Sequence, residues 1–176
     1  MKKQNIIIIA VMSLVLASCG GKKEHDYIIV EPEKPVVQKP QTIASETYKM
    51  DDTVTWRGKV YTYNIVRMCD KEAPTVKNED GQKFFDNKAT ITITRPDGTE
   101  FYSHTFRKAS FEQYLPAELK KGGILEGVVF EKAENGFLQF AASVALPQSD
   151  EYMPFAVKIS PDQSITISKV NRLVED

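Results

Sequence analysis

Residues 89–106 read Ala89-Thr90-Ile91-Thr92-Ile93-Thr94-Arg95-Pro96-Asp97-Gly98-Thr99-Glu100-Phe101-Tyr102-Ser103-His104-Thr105-Phe106, and this stretch decides the fold. Ala89, Ile91 and Ile93 alternate with Thr90, Thr92 and Thr94, the period of two that turns one set of side chains to a core and the other to water. Pro96-Asp97-Gly98 follows, with proline supplying a fixed φ and glycine a positive one, so residues 99–106 return as the hairpin partner.

The same device recurs on both sides. Downstream, Asn135-Gly136 separates residues 124–132 from residues 137–146, where Leu138, Phe140, Ala142, Val144 and Leu146 line one face. Pro161-Asp162-Gln163 joins Phe155, Val157 and Ile159 to Ile165 and Ile167. Upstream, residues 53–69 are rich in Val, Ile, Thr, Tyr and Trp. Gly58 inside them makes either one bulged long strand or two strands bent at the glycine. One stretch reads as helix: Ser110 as N-cap with Gln113 reaching back, Phe111, Tyr114 and Leu115 on one side, Pro116 as a limit, and a second turn over residues 117–121 closed by Gly122 as a left-handed cap. About seven strands and one short helix predict an all-β, mainly antiparallel domain over residues 50–176, a sandwich or a partly open barrel.

Composition removes several function classes. The 176 residues are 41% hydrophobic and 27% charged with a formal net charge of -1, so no basic field exists to hold a nucleic acid backbone. Two cysteines build no disulfide framework, and two histidines leave little for a metal cage. Nucleotide loops, dinucleotide glycine fingerprints, nucleophile elbows and zinc-protease motifs are missing, so no cofactor and no metal are expected, and no enzyme motif is found.

The N-terminus gives an address. Lys2 and Lys3 precede an apolar run over residues 6–17, long enough for a signal peptide and too short to cross a bilayer that needs about 20 residues. Leu16-Ala17-Ser18-Cys19-Gly20 resembles the lipobox of bacterial lipoproteins, which implies removal of residues 1–18 and lipid, acyl chains such as palmitate included, on Cys19. Several tens of buried CH2 groups at ~0.8 kcal/mol each make such an anchor permanent. Residues 19–49 carry Pro32, Pro35 and Pro40 without sustained periodicity and read as a tether, reaching on the order of 100 Å when fully extended. Tyr27-Ile28-Ile29-Val30 within it is β-prone, a loose sticky patch or an added strand.

Binding candidates lie in loops. Residues 70–88 concentrate Asp70, Glu72, Asn78, Glu79, Asp80, Asp86 and Asn87, an oxygen-rich set whose spacing is not that of an EF-hand and which Lys71, Lys77, Lys83 and Lys88 interrupt. The run therefore reads as a solvated connector, longer than a hairpin needs, where binding function tends to sit. Phe84 and Phe85 point to opposite faces, which leaves one of them accessible for a glycan or protein contact. Asp150 and Tyr152 mark a shorter acidic and aromatic loop. Cys69 with His104 would be a thiol-dependent site, or Cys69 a reactive thiol, or a buried small hydrophobe; the residues favour the last.

A wider resemblance rests on Asp80-Gly81-Gln82-Lys83-Phe84-Phe85-Asp86-Asn87, on Thr105-Phe106-Arg107-Lys108 with Phe111, and on Pro147-Gln148-Ser149-Asp150-Glu151. Together these are similar to small uncharacterised lipoproteins of the Bacteroidetes that carry a domain of unknown function. The resemblance implies an outer-membrane lipoprotein. Gly20-Gly21-Lys22-Lys23, less acidic than that group's surface-export signal, favours the periplasmic face, while Glu24 and Asp26 leave surface display open. Asp52-Thr53-Val54 resembles the group's O-glycosylation pattern, which puts a sugar on Thr53. Two functions follow: a non-catalytic envelope binding module with an envelope protein or glycan as partner, or a thiol-dependent enzyme using Cys69 and His104.

Overall fold

In the computed structural model, residues 41–170 are described. The leader, Cys19 and most of the tether, Tyr27 to Val30 included, lie outside the described residues. Two four-stranded antiparallel sheets form the body. The first orders β1 (Tyr48–Trp56), β2 (Lys59–Asp70), β5 (Asp86–Thr94) and β6 (Glu100–Arg107) side by side. The second orders β7 (Ile124–Glu134), β8 (Phe137–Ala145), β9 (Tyr152–Ile159) and β10 (Ile165–Lys169) in the same up-and-down manner. A two-stranded sheet, β3 (Val76–Lys77) with β4 (Lys83–Phe84), is set into the β2–β5 connection.

The alternation in residues 89–94 does what its period dictates. Ala89, Ile91 and Ile93 are fully buried, while Thr90 pairs its hydroxyl with that of Thr105 at 2.8 Å on the other side of the sheet. Residues 53–69 resolve as two strands: Trp56 pairs with Lys59 across Arg57 and Gly58, both at positive φ (51° and 73°), the mirror-image turn that suits the twist of a hairpin. The core lies between the sheets. Tyr63, Ile65, Ile91, Ile93 and Phe106 from the first pack with Leu125, Leu138, Phe140, Phe155 and Val157 from the second, each buried side chain contributing about 1.5–3 kcal/mol. At one end Trp56, Tyr61 and Phe101 form an aromatic triangle with centroids 5.5–5.7 Å apart, and Trp56 Nε1 donates to the Glu134 carbonyl at 2.6 Å.

The expected helix comes in two pieces with different caps. A 3-10 helix spans Lys108–Tyr114, and Ser110 is its third residue, the Ser110 hydroxyl accepting from the Arg107 N–H at 3.2 Å. Arg107 therefore takes the cap position that Ser110 was expected to hold. Phe111 from this turn is fully buried, its ring centroid 4.9 Å from that of Phe155. Helix α1 (Ala117–Gly122) ends without a left-handed residue: Gly122 is helical and Gly123 follows at φ -75°. Glycine is needed at 123 for space, since a Cβ there would stand 2.5 Å from the Leu119 carbonyl and 2.9 Å from Val144 Cγ1. Folded structure also starts earlier than Met50. β1 opens at Tyr48, and Ile43 makes a parallel bridge to Phe84.

Candidate functional site

The long connection after β2 and the short one after β8 meet. Residues 75–80 form one wall of a cleft of about 740 Å³, α1 contributes Glu118 and Lys121, and the chain from Leu146 to Ser149 supplies the floor and far side. One side-chain bond spans the two connections, Asn78 Nδ2 donating to Gln148 Oε1 at 3.0 Å. Each partner is held by its own backbone. Asn78 Oδ1 accepts the Gln82 N–H at 2.9 Å, and its carbonyl accepts the Gly81 N–H at 3.0 Å, with Gly81 at φ 78° making that tight turn. Gln148 sits at φ 60°, a left-handed backbone that costs a residue with a Cβ about 1–2 kcal/mol and persists because its surroundings fix it. Around the cleft Glu79, Asp80, Glu118 and Glu151 outnumber Lys77 and Lys121, so its field is acidic.

Sequence candidates divide between tip and base. Glu79 and Asp80 are exposed at the cleft, and Asp150 and Tyr152 line an adjoining hollow of about 420 Å³ with Glu126 and Ser149. Asp70, Phe84, Phe85 and Asp86 belong elsewhere. Phe84, in β4, is buried and Phe85 after it half-buried, while Asp70 and Asp86, the last Cα pair of β2 and β5, are 1% and 5% exposed. These two carboxylates are not solvated loop groups, because their partners come from distant strands. Arg107 Nε lies 2.8 Å from Asp70 Oδ2, Lys88 Nζ 3.8 Å from Oδ1, and the Glu72 N–H donates to Oδ1 at 3.3 Å. Burial pushes the Asp70 carboxyl up, but the Arg107 bond, the Glu72 N–H and the two positive charges outweigh it and hold it below the usual aspartate range.

Asp86 and Asn87 act as a pair on a strand edge. Asp86 Oδ1 accepts the Leu125 N–H at 2.8 Å and Asn87 Nδ2 donates to the Leu125 carbonyl at 2.8 Å, so two side chains take the place of a neighbouring strand at the edge of β7. This ties the two sheets together at fully buried Leu125. Lys108 Nζ stands 3.8 Å from Asp86 Oδ2 and donates to the Gly123 carbonyl at 2.7 Å. Desolvation raises the Asp86 carboxyl above the ordinary range, and the N–H groups of Leu125 and Asn87 with the Lys108 charge do not fully offset it.

Cys69 and His104 are not brought together. Cys69 pairs with Asn87 and His104 with Ile91, which puts them four rows apart, about 13 Å along the strands, and on strands that are not neighbours. Cys69 is a half-buried free thiol rather than a fully buried one. Among the described residues no three His, Cys, Asp or Glu side chains converge as metal ligands would. Thr53 is exposed on edge strand β1, its N–H donating to Asp52 Oδ1 at 2.7 Å. Sequence reading missed Glu118 and Lys121 as site residues; Asn78 stood in the oxygen-rich run and Gln148 in the Pro147-Gln148-Ser149-Asp150-Glu151 motif, but nothing local showed that the two would bond.

Fold and cleft together define a class: an antiparallel β-sandwich domain with a polar cleft built from two inter-strand connections. The chain belongs to the family described as a domain of unknown function (DUF4738), whose profile matches residues 28–167. That agrees with the resemblance at the level of an uncharacterised domain. No match is found among curated proteins.

Proposed function

We propose that this chain is a lipid-anchored, non-catalytic binding module of the bacterial cell envelope, of the Bacteroidetes outer-membrane type, and that it engages its partner at the cleft between residues 75–80 and residues 146–151. One observation carries the reading: two connections far apart in sequence converge on one cleft and are locked by the Asn78–Gln148 bond. The separation of Cys69 from any body histidine favours binding over thiol chemistry. The lipobox sequence supports acylation at Cys19, and the exposure of Thr53 supports a sugar there. The partner is an envelope protein or glycan, met on the periplasmic face.

Photo-crosslinkers placed singly at Glu79, Ser149 and, as a remote control, Thr62 test the site in living cells. The expected result is one common adduct from positions 79 and 149 and none from 62. Adducts of equal strength from all three, or none from the first two, overturn the reading. The anchor is tested separately by intact mass, which is expected to show an acylated N-terminal Cys19; an unmodified amino terminus removes it.

A further inference from the structure

The β3–β4 hairpin that walls the cleft has only two residues in each strand, too little to stand alone in water. Its buried anchors are Val76 and Phe84. What completes it is the chain just before β1. The Ile43 N–H donates to the Lys83 carbonyl at 2.8 Å, and the Phe85 N–H donates to the Ile43 carbonyl at 2.9 Å. Gln82 Nε2 donates to the Gln41 carbonyl at 2.7 Å, and Arg67 donates to the Glu46 carbonyl at 3.1 Å. The two-stranded hairpin is thus extended by a single parallel bridge at Ile43, bonded on that side to residues 41–43 and on the cleft side to Gln148, while Glu46 is held by Arg67 of β2.

We infer that residues 41–46 are a strap that fixes the cleft wall, so that the hold on the entering chain and the geometry of the cleft are coupled. The coupling is reciprocal: whatever steadies residues 78–82 from the cleft side also tightens the strap, and whatever lifts the strap loosens the wall. This deepens the cleft reading and rests on it only for the identity of the wall as a binding surface.

Amide hydrogen exchange on the full chain, with no ligand added, tests the strap. Ile43→Pro deletes the N–H that bonds Lys83. It is expected to speed exchange at Asn78, Gly81 and Phe85 by about tenfold while Ile91 and Phe140 in the two sheets stay within about twofold. Gln82→Ala, which removes the side-chain bonds to the Gln41 and Lys83 carbonyls and leaves the Ile43 N–H in place, is expected to give the same pattern at about threefold, and it decides the matter should the proline variant not fold. Unchanged exchange at the three hairpin amides overturns the strap, as does a uniform rise through both sheets. Because no partner enters this measurement, its failure leaves the crosslinking result standing, and the converse holds.

Discussion

The two sheets are the same plan executed twice. Each runs strand, two-residue turn, strand, central connection, strand, proline-aspartate turn, strand. Arg57-Gly58 stands where Asn135-Gly136 does, though only the first pair is at positive φ, and Pro96-Asp97-Gly98-Thr99 corresponds to Pro161-Asp162-Gln163-Ser164. The aspartate works alike in both: Asp97 Oδ1 accepts from the N–H and hydroxyl of Thr99 at 2.9 and 2.7 Å, Asp162 Oδ1 from those of Ser164 at 3.2 and 2.7 Å. The halves differ in the middle. Residues 71–85 connect β2 to β5, residues 146–151 connect β8 to β9, and the closing pair is Asp70 with Asp86 in the first half but Ala145 with Tyr152 in the second. A short connection closes its strands by itself. The longer one carries a hairpin outward, and its base is sealed by carboxylates that reach Arg107 and Leu125.

The largest way to break the equivalence is at the other end, where the two-residue turns meet. Trp56 is 2% exposed, packs on Tyr61 and Phe101, and is the group through which the first turn bonds the second. Trp56→Ala is expected to cost about 3–5 kcal/mol through the cavity. Trp56→Phe, which keeps an aromatic ring and leaves the Glu134 carbonyl without its donor, is expected to cost about 1–2 kcal/mol. Denaturant unfolding measures both. Equal losses would mean that the ring filling the end, and not the bond to Glu134, is immaterial to joining the halves.

Next in size is the carboxylate base. Asp86→Ala strands the buried Leu125 N–H and is expected to cost about 1–3 kcal/mol, with Asp86→Asn, still an acceptor, costing less. The two aspartates also respond oppositely to pH. The Asp70 carboxyl is lowered in the fold, so its stabilisation is present above the unfolded value of about 3.9 and is lost as pH falls through the folded value. The Asp86 carboxyl is raised, so its contribution is full below about 3.9 and is lost as pH rises through its folded value. Measured from acid to neutral pH and compared with the wild type, Asp70→Asn is expected to lose part of the rise of the unfolding midpoint with pH, and Asp86→Asn to lose a fall. Identical pH profiles for the two variants would show that the pair is not split as its partners imply.

The alternation of residues 89–94 and the turn at Pro96-Asp97-Gly98 were readable because both are local: a period of two and a proline with a glycine need no distant partner. The cleft was half readable, since composition marked both connections but not that Asn78 and Gln148, 70 positions apart, would join them. Asp70 and Asp86 looked like tip residues because density of carboxylates is a local signal, whereas their burial depends on Arg107 and Leu125, 37 and 39 residues on. Ser110 misled for a related reason. A Ser followed three residues later by Gln fits a cap box, yet the helical turn begins at Lys108 and Arg107 uses the serine hydroxyl.

The smallest and sharpest test of the repeated plan is an exchange between the two proline-aspartate turns. Gly98 holds φ 82° at no steric cost, and Gln163 holds φ 68° with a Cβ that disfavours it. If both turns are one device, Gly98→Gln is expected to destabilise by about 1 kcal/mol and Gln163→Gly to be stabilising by a few tenths to about 1 kcal/mol. The sign of the second change is what matters. A glycine gains freedom in the unfolded chain, which opposes the relief of strain, so a net stabilisation arises only if the left-handed geometry at 163 is held as firmly as at 98. The Gln163 N–H donating to Ser160 at 2.9 Å, matched by the Gly98 N–H donating to Arg95 at 2.9 Å, is the reason to expect that it is.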